Sequence, residues 1–325
     1  MHVHPEIAAL RTDPASQRCA QDRMREAQAD WHRLPQARRI SCELAQYGAG
    51  QPLSQCPGLT SLLTDLPVAA AFVAEWQSRI LGALSREPLG EVPHHYSCSA
   101  GLSNIRLMEH GRAALSILAY ERRGGSQTLA PQTALFADRE CRELVLAGSG
   151  SGTLHHRQGG STGKGLIASN PAHWKSGNTI ELAGADQARQ ISQVEGSMVL
   201  LQLSRTAEKP GPSQELQLDD GEVLQLASGD KSASQRLMAL AVLGAAQSEK
   251  ALPVMRGRAL DKAEDADVRW EAVRQTLSID AARGIALLDI LRRDEADPLA
   301  GPACDLLDSL IRANPSISNY IAEAA

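Results

Sequence analysis

The sequence predicts an α+β protein of several domains, with a helical region over residues 1–92, an antiparallel β domain over 93–228 and paired helices over 229–325. Three observations predict this order. Apolar residues recur at a helical period near the N-terminus, strand-length apolar runs follow, and a helical pattern repeats near the C-terminus. A chain of 325 residues with 43% hydrophobic residues is long enough for two or three domains with cores of their own.

Two segments predict helices in the N-terminal region. Segment 13–34 begins with Asp-Pro-Ala-Ser, a helix start signal, and continues in strong helix formers. Segment 66–87 carries an apolar stripe at helical spacing, formed by Val68, Ala71, Phe72, Trp76, Ile80 and Leu84. Two prolines and a glycine within 88–93 then end the helical pattern.

The central region contains short apolar runs separated by Gly, Ser and Pro. These runs predict strands at 113–120, 141–148, 178–182 and 197–204. Because no helical pattern lies between them, they favour an antiparallel sandwich or barrel. Residues 215–226 form two alternating runs around Asp-Asp-Gly, which is typical of a β-hairpin.

Near the C-terminus the chain repeats itself at an offset of 30 residues. Segment 264–277 aligns with 294–307, a weaker copy lies at 231–243, and a second helix is predicted at 284–294 between the two stronger copies. Paired helices at this period are typical of a solenoid, in which each repeat buries its apolar face on its neighbours.

The first strong copy contains the pattern Asp265-x-Asp267-Val268-Arg269-x-x-Ala272. This pattern resembles HEAT-type repeats, and the resemblance implies a short α-solenoid. Solenoids often present a concave surface to a partner. We therefore expect a protein partner to bind through residues 230–325.

The central strands also carry a recurring set of small and apolar residues. These are Pro131, the run Leu144-Val145-Leu146-Ala147-Gly148, Gly177, Gly184 and Gly196. With these residues in this order, the region resembles the cupin family over about 110 residues. The resemblance implies a cupin-like (RmlC-type) β-barrel, and a possible homodimer, since cupins often pair through their barrel sheets.

The resemblance also assigns positions to the metal ligands of cupins, and these positions lack suitable side chains. The two histidine positions fall on Gln132 and Ala134, the acidic position falls near Cys141 or Glu143, and the last histidine falls near Ala188. Amide and methyl groups cannot supply the donors that a transition metal needs. No cofactor is therefore favoured, and the barrel is expected to hold a small-molecule ligand or to serve as a rigid core.

A displaced metal site is the alternative interpretation. Its candidate ligands are His94, His95, His110, His155 and His156. Adjacent residues of a strand point to opposite faces, so each His doublet can direct only one imidazole into the interior. One imidazole from each doublet together with His110 would suit Fe, Mn, Ni or Zn. The protein would then be a metal-dependent oxygenase or isomerase of the cupin type.

Three residues are candidates for catalysis without a metal. Cys141 would need a base and a lowered pKa to act as a nucleophile, and the anionic Glu143 on the same strand face is a poor activator. Glu181 would act as a general base only if it were desolvated. A buried thiol and a solvent-facing glutamate are the structural alternatives.

The glycine-rich stretch 148–165 contains a Gly-Lys step but does not match a phosphate-binding loop. Such a loop needs glycine at 158 and Ser or Thr after Lys164, where this sequence has Gln158 and Gly165. Pro171 also follows too soon for a helix. We interpret the stretch as a long, mobile loop between strands.

The charge and the cysteine pattern restrict the class of protein. A net charge of −5 argues against a general nucleic-acid binder. The six cysteines have no CxxC spacing, the N-terminus lacks the pattern of a signal peptide, and no apolar run is long enough to span a bilayer. We therefore expect a cytoplasmic, non-enzymatic binding or regulatory protein that uses neither nucleic acid nor membrane as its partner.

Overall fold

The computed structural model describes residues 14–99, 101–122, 132–158, 166–315 and 317. The chain divides into two compact units, Met1–Gly229 and Asp230–Ala325. The first unit combines helices with antiparallel sheets, and the second contains helices. The α+β class predicted from the sequence is confirmed.

In the described part of the first unit, four helices precede the strands, and proline and capping residues mark the starts of several of them. They are α1 (Ala15–His32), α2 (Pro35–Gly48), α3 (Pro57–Thr64) and α4 (Leu66–Leu84), with a 3₁₀ turn at Leu53–Gln55 before α3. Proline lies in the first turn of α2, α3 and α4, where its missing N–H costs no hydrogen bond. The Asp65 carboxylate caps α4 by accepting a hydrogen bond from the Val68 N–H at 3.2 Å.

The strands of the described residues are β1 (His95–Ser99), β2 (Leu102–His110), β3 (Ala113–Glu121), β4 (Thr133–Phe136), β5 (Arg139–Gln158), β6 (Leu166–Lys175), β7 (Thr179–Leu182), β8 (Gln187–Thr206), β9 (Ser213–Gln217) and β10 (Val223–Ala227). The large sheet has the order β1-β2-β3-β8-β5-β6, and β7 pairs with β5. The small sheet has the order β10-β9-β4. All pairs are antiparallel, and β9 and β10 form the predicted hairpin.

The expectation of a closed barrel is wrong. In the described residues the large sheet runs from the edge strand β1 to the edge strand β6 and does not join its own ends. Strands β4, β9 and β10 pair only with one another. The unit is therefore built from one large open sheet and one small sheet, because the hydrogen-bonding edges that would close a barrel are not paired.

The helices α1–α4 cover one face of the large sheet. Leu115, Leu144, Leu201 and Leu203 of the sheet share a core with helical residues such as Trp31. The helices and the sheet therefore belong to the same compact unit. We call the opposite face of the large sheet the inner face.

A second core lies on the inner face. It is formed by Leu118, Val145, Trp174, Ile180, Met198 and Leu200, with Leu154, Ile191 and Val194 packed against it. The last three residues belong to the paired segments 150–158 of β5 and 187–194 of β8, which we call the distal halves of these strands. The distal halves fold back over the remainder of the two strands, the proximal halves. The inner face is thus enclosed by the same strands that form it.

Glycines in the stretch singled out above permit this bend. The pairing of β5 with β8 changes register between Val145 and Gly152. Gly148 has φ +78°, which favours glycine, and a Cβ there would overlap the Ser197 carbonyl. A Cβ on Gly152 would likewise overlap the carbonyl oxygen of Gln190. The expectation of a loop is therefore wrong for residues 148–158, which belong to β5, and at these glycines the backbone approaches its neighbour too closely for any side chain. Residues 159–165 lie outside the described residues.

Replacing Gly152 by Ala should destabilise the first unit by about 2–3 kcal/mol, because the added methyl group must push β5 and β8 apart. Urea denaturation followed by tryptophan fluorescence measures this change. Gly82→Ala is the matched control, since a Cβ on Gly82 meets no atom within 4 Å. An equal effect of the two substitutions would contradict the explanation by close approach.

The second unit contains α5 (Lys231–Ala245), α6 (Leu252–Leu260), α7 (Ala266–Ile279), α8 (Ala281–Arg292) and α9 (Ala300–Ala313) around a core of its own. Asp230, Asp265 and Asp280 cap α5, α7 and α8 through their carboxylates. Asp265 thus caps the helix of the first strong copy and Asp230 caps that of the weaker copy, whereas α9, the helix of the second strong copy, begins after Leu299 without a side-chain cap. The resemblance to HEAT-type repeats stays a prediction.

No single helix of the described residues is long and apolar enough to cross a membrane. Helices α3 and α4 have the length and apolar composition of a membrane-spanning segment only when they are taken together, and the chain bends by 100° at their junction. Apart from the exposed Leu81, their large apolar residues belong to the core between helices and sheet.

Candidate functional site

Polar residues form a row across the inner face of the large sheet. Arg106 of β2 lies opposite Ser116 of β3, which lies opposite Gln202 of β8, and Gln202 lies opposite Glu143 of β5. Ser116 and Glu143 are buried. Because a strand alternates its side chains between the two faces, pairing in register brings all four residues to one face.

The row contains a buried ion pair between Glu143 and Arg189. Arg189 Nη2 lies 2.9 Å from Glu143 Oε1, and the two side chains are 6% and 0% exposed. Gln202 Nε2 donates to the same oxygen at 2.6 Å. Arg189 also donates to the Tyr120 hydroxyl at 3.2 Å, with its guanidinium 5.5 Å from the ring centroid. The carboxylate and the guanidinium are thus held in a fixed arrangement.

Several buried polar atoms of this ion pair and of the neighbouring strand β2 have no hydrogen-bond partner among the described residues. They are Glu143 Oε2, Arg189 Nε, Arg189 Nη1, Asn104 Oδ1 and Arg106 Nε. Buried polar groups in folded proteins usually bind protein groups, ordered water or a ligand. The inner face therefore offers both donors and acceptors to a further polar molecule.

His155 lies in the distal half of β5 and has both ring nitrogens occupied. Nε2 lies 3.1 Å from Gln190 Oε1 and Nδ1 lies 2.8 Å from Ser169 Oγ. Since the amide oxygen can only accept, Nε2 carries the proton and Nδ1 accepts from the serine hydroxyl. Burial lowers the pKa of His155 below its ordinary value, so the ring is neutral.

His94 lies on the opposite side of the large sheet, among the helices. Trp76 Nε1 donates to His94 Nε2 at 2.9 Å, and His94 Nδ1 lies 3.2 Å from the carbonyl oxygen of Arg106. The rings of Trp31 and Trp76 meet His94 edge to face. Burial lowers the pKa of His94 to about 4, so its place in the molecule is that of a neutral core residue.

Acidification should destabilise the first unit through His94. The pKa is about 4 in the folded chain and about 6.5 in the unfolded chain. Between pH 6.5 and pH 4 the unfolded chain binds a proton that the folded chain does not bind, so stability falls as the pH falls. The loss reaches about 3 kcal/mol over this window.

Urea midpoints measured between pH 7 and pH 4.5 test this prediction. His94→Gln keeps an acceptor for Trp76 and should flatten the pH dependence. His173→Gln is the control, because His173 is exposed on β6. If His94→Gln left the slope unchanged, the pH dependence would have to come from other groups.

The structure does not bring the five candidate histidines together. His94 lies among the helices, His95 is exposed on β1, and the imidazole of His110 lies 2.8 Å from Ser41 Oγ of α2. His155 is buried in the distal half of β5, and His156 next to it is half-buried. Within the described ranges, no three or more His, Cys, Asp or Glu side chains are grouped so that they could hold a metal ion.

The positions that the cupin resemblance assigns to metal ligands lie in different surroundings, namely an apolar cluster, an exposed position and the buried ion pair. Ala134 and Ala188 pack together with Phe136 and Leu216. Gln132 is exposed. Of the two candidates for the acidic position, Glu143 is the residue paired with Arg189.

The remaining candidates for catalysis have different surroundings. Cys141 is buried on β5, and burial raises the pKa of its thiol, which disfavours the reactive thiolate. Glu181 on β7 is 62% exposed and forms an ion pair with Arg142. Neither side chain is placed as a nucleophile or a desolvated base.

Sequence reasoning missed Arg189, the partner of Glu143. The resemblance placed a lost ligand on the neighbouring Ala188, which drew attention to the position but not to the arginine. In the sequence Arg189 stands between Ala188 and Gln190, outside every strand-length apolar run. Its partner is 46 residues away in the chain, and no local pattern connects the two residues.

Comparison with solved structures finds partial likenesses of low identity. A vicilin from Capsicum annuum is 13% identical, with 38% of this chain and 32% of that chain covered and a TM-score of 0.26. The cupin domain of Drosophila melanogaster CENP-C is 11% identical, with 34% and 74% covered and a TM-score of 0.25. HutD from Pseudomonas fluorescens is 14% identical, with 36% and 58% covered and a TM-score of 0.24.

A cupin domain is thus among the structural neighbours of this chain, which spans about a third of the length of the vicilin that it matches. No protein-family model matches the sequence. No curated protein matches it either.

Proposed function

We propose that the protein is a non-enzymatic, cytoplasmic binding protein. Residues 230–325 bind a protein partner, and the first unit provides a rigid core whose inner face holds a small polar ligand. The observation that carries the proposal is that other side chains of the protein already bind Glu143. This buried carboxylate, the best placed catalytic candidate, is neutralised by Arg189 and bonded by Gln202.

The other candidate groups support a binding role in the same way. His94 and His155 use both ring nitrogens within the protein, and the Cys141 thiol is kept protonated by burial. All six cysteines are unpaired thiols, which accords with a reducing compartment such as the cytoplasm.

Exposed apolar side chains in the second unit support the proposal that this unit binds a protein partner. Met238 and Val242 lie one turn apart on α5 and are 62% and 67% exposed, and Val254 on α6 is 62% exposed. The unit has a separate core, so these residues are not needed to fill it. Large exposed apolar side chains on neighbouring turns suit a partner that buries an apolar surface of its own.

A partner isolated with the full chain and then purified should bind it in calorimetry, and Met238→Asp/Val242→Asp should weaken this binding at least tenfold. Leu81→Asp is the matched control, because Leu81 is 58% exposed on α4 of the first unit. Equal binding by the two variants would refute the proposed surface. Sedimentation that shows only a homodimer, with no other partner, would refute the role of 230–325 as well.

Metal analysis tests the alternative, a metal-dependent oxygenase or isomerase. The proposal expects no stoichiometric metal in protein purified without added metal. Stoichiometric Fe, Mn, Ni or Zn that is lost on His155→Ala/His156→Ala would replace the proposed function by the enzymatic one.

The unpartnered atoms on the inner face support a small neutral ligand that carries hydroxyl groups. The charges of Glu143 and Arg189 cancel, and Arg106 is paired with Glu109, so the site has no net charge to attract an ion. Free donors and free acceptors lie together there, and a hydroxyl group can satisfy both.

Mass spectrometry of the small molecules released on denaturing the purified protein tests this ligand. A hydroxylated compound should be released in stoichiometric amount from wild type and from the surface control Glu249→Gln. It should be absent from Glu143→Gln/Arg189→Met. If wild type releases no such compound, the inner face is a rigid core only.

A further inference from the structure

A cleft of about 380 Å³ opens at one end of the large sheet, away from the inner face. It lies where β5 begins, where β8 ends and beside the turn between β2 and β3. Charged residues of both signs line it, namely Arg112, Asp138, Arg139, Glu140, Arg205 and Glu208. Its size is at the lower end of the range for small-molecule sites.

One wall of the cleft is a fixed, neutral assembly. Arg205 Nη2 lies 2.9 Å from Glu140 Oε2, which also accepts a hydrogen bond from the Tyr47 hydroxyl at 3.0 Å. The Arg205 guanidinium lies 4.1 Å from the centroid of the Tyr47 ring and donates to the carbonyl oxygen of Gln51 at 2.9 Å. These groups satisfy one another and give the cleft a rigid side.

The other charged groups remain available to a ligand. The side chains of Arg139 and Glu208 are exposed and have no hydrogen-bond or ion-pair partner among the described residues. Arg112 uses one Nη atom to bind the Thr206 carbonyl at 3.0 Å. Asp138 accepts one hydrogen bond, from the Gly211 N–H at 3.0 Å. The available charge is therefore two guanidinium groups and two carboxylates.

This balance of charge selects the class of ligand. A simple anion would meet Asp138 and Glu208, and a simple cation would meet Arg112 and Arg139, so each would be repelled by half of the available groups. A molecule with one charge of each sign avoids both repulsions. The scarcity of apolar side chains among the lining residues also disfavours a hydrophobic ligand.

We propose that this cleft binds a free α-amino acid as a zwitterion. Its carboxylate pairs with Arg112 and Arg139, since guanidinium groups bind carboxylates with two parallel hydrogen bonds. Its ammonium group pairs with Asp138 and Glu208. This site is separate from the inner face and from the surface of residues 230–325, so its occupancy is measured independently of both.

Calorimetric titration of the full chain with each of the common L-amino acids tests the proposal. At least one should bind with a Kd below about 1 mM, the range expected for a few exposed charge pairs. The N-acetyl derivative and the carboxamide of that amino acid each lack one of the two charges. Each should bind at least tenfold more weakly.

Two variants at exposed positions locate the site without disturbing the core. Arg139→Gln and Glu208→Gln should each weaken binding at least fivefold, whereas Arg256→Gln and Glu249→Gln, exposed in the second unit, should leave it unchanged. The proposal is overturned if no amino acid binds at 5 mM (about five times the expected Kd), if inorganic phosphate alone binds there, or if the cleft variants bind like wild type.

Discussion

Replacing Arg269 by Met is expected to lower the free energy of unfolding of the second unit by about 3–5 kcal/mol, one of the two largest effects we predict for a single substitution. The substitution keeps most of the apolar stem of the side chain but removes its charge. Asp297 is then left buried with a charge that nothing opposes. A buried carboxylate without a counter-ion is far less stable than the same group in water.

The geometry of the pair explains the size of this effect. Arg269 Nη1 and Nη2 contact Asp297 Oδ1 and Oδ2 at 3.1 and 2.5 Å, and both side chains are 2% exposed. Arg269 Nε donates to the Ala259 carbonyl at 3.0 Å, and Asp297 Oδ1 accepts from the Leu299 N–H at 3.0 Å. The pair therefore joins the end of α6, the helix α7 and the turn before α9.

Hydrogen-exchange mass spectrometry on the full chain resolves the second unit from the first, and protection of α7 and α9 should fall with the substitution. Arg283→Met is the control, because the Arg283 side chain is 64% exposed and its pair with Asp280 contributes little. The double variant Arg269→Met/Asp297→Leu should be more stable than Arg269→Met, since it leaves no charge unpaired. A double variant that is less stable than the single one would contradict this account.

The pair also gives the second unit an acid dependence of known sign. The hydrogen bond from Arg269 lowers the pKa of Asp297 below its ordinary value. The stability that Asp297 contributes is therefore present above the unfolded pKa of about 3.9 and is lost as the pH falls through the lower folded value. In Arg269→Met this contribution should disappear.

The elements that the sequence predicts well are those with a local signal. The stripe through Phe72 and Trp76 became α4, and the alternation of Leu201 and Leu203 became the helix-facing side of β8. The Asp-Gly step at 220–221 lies in the turn between β9 and β10, where Gly221 has φ +69°. Each of these patterns is complete within a few residues of chain.

Features that depend on distant contacts were not predictable. Short apolar runs predict strands but do not show which strand edges pair. The expectation of a closed barrel could therefore not be tested from the sequence. The 20-residue strands β5 and β8 bend at glycines, so they appeared in the sequence as shorter runs. The candidate site depends on Glu143 and Arg189, and the pair Arg269–Asp297 spans 28 residues. The pairing register of the strands and the folding back of the chain bring such partners together. No local sequence pattern encodes either of them.

Glu143→Gln is expected to destabilise the first unit by about 3–5 kcal/mol, since it leaves the Arg189 guanidinium buried without a counter-ion. An arginine cannot lose its proton to relieve this cost. The loss should therefore be the same at pH 5 and pH 7 when each measurement is compared with wild type. Hydrogen-exchange mass spectrometry on the full chain measures the stability of this unit, because total tryptophan fluorescence would also include Trp270 of the second unit.

Arg189→Met should cost a similar amount at pH 7, because it leaves the Glu143 carboxylate buried without a counter-ion. Glu181→Gln is the control, because its ion pair with Arg142 is exposed. A polar row that served only as surface would show neither effect. A fixed ion pair in the core requires both, and it requires that Glu143→Leu/Arg189→Met be more stable than either single variant.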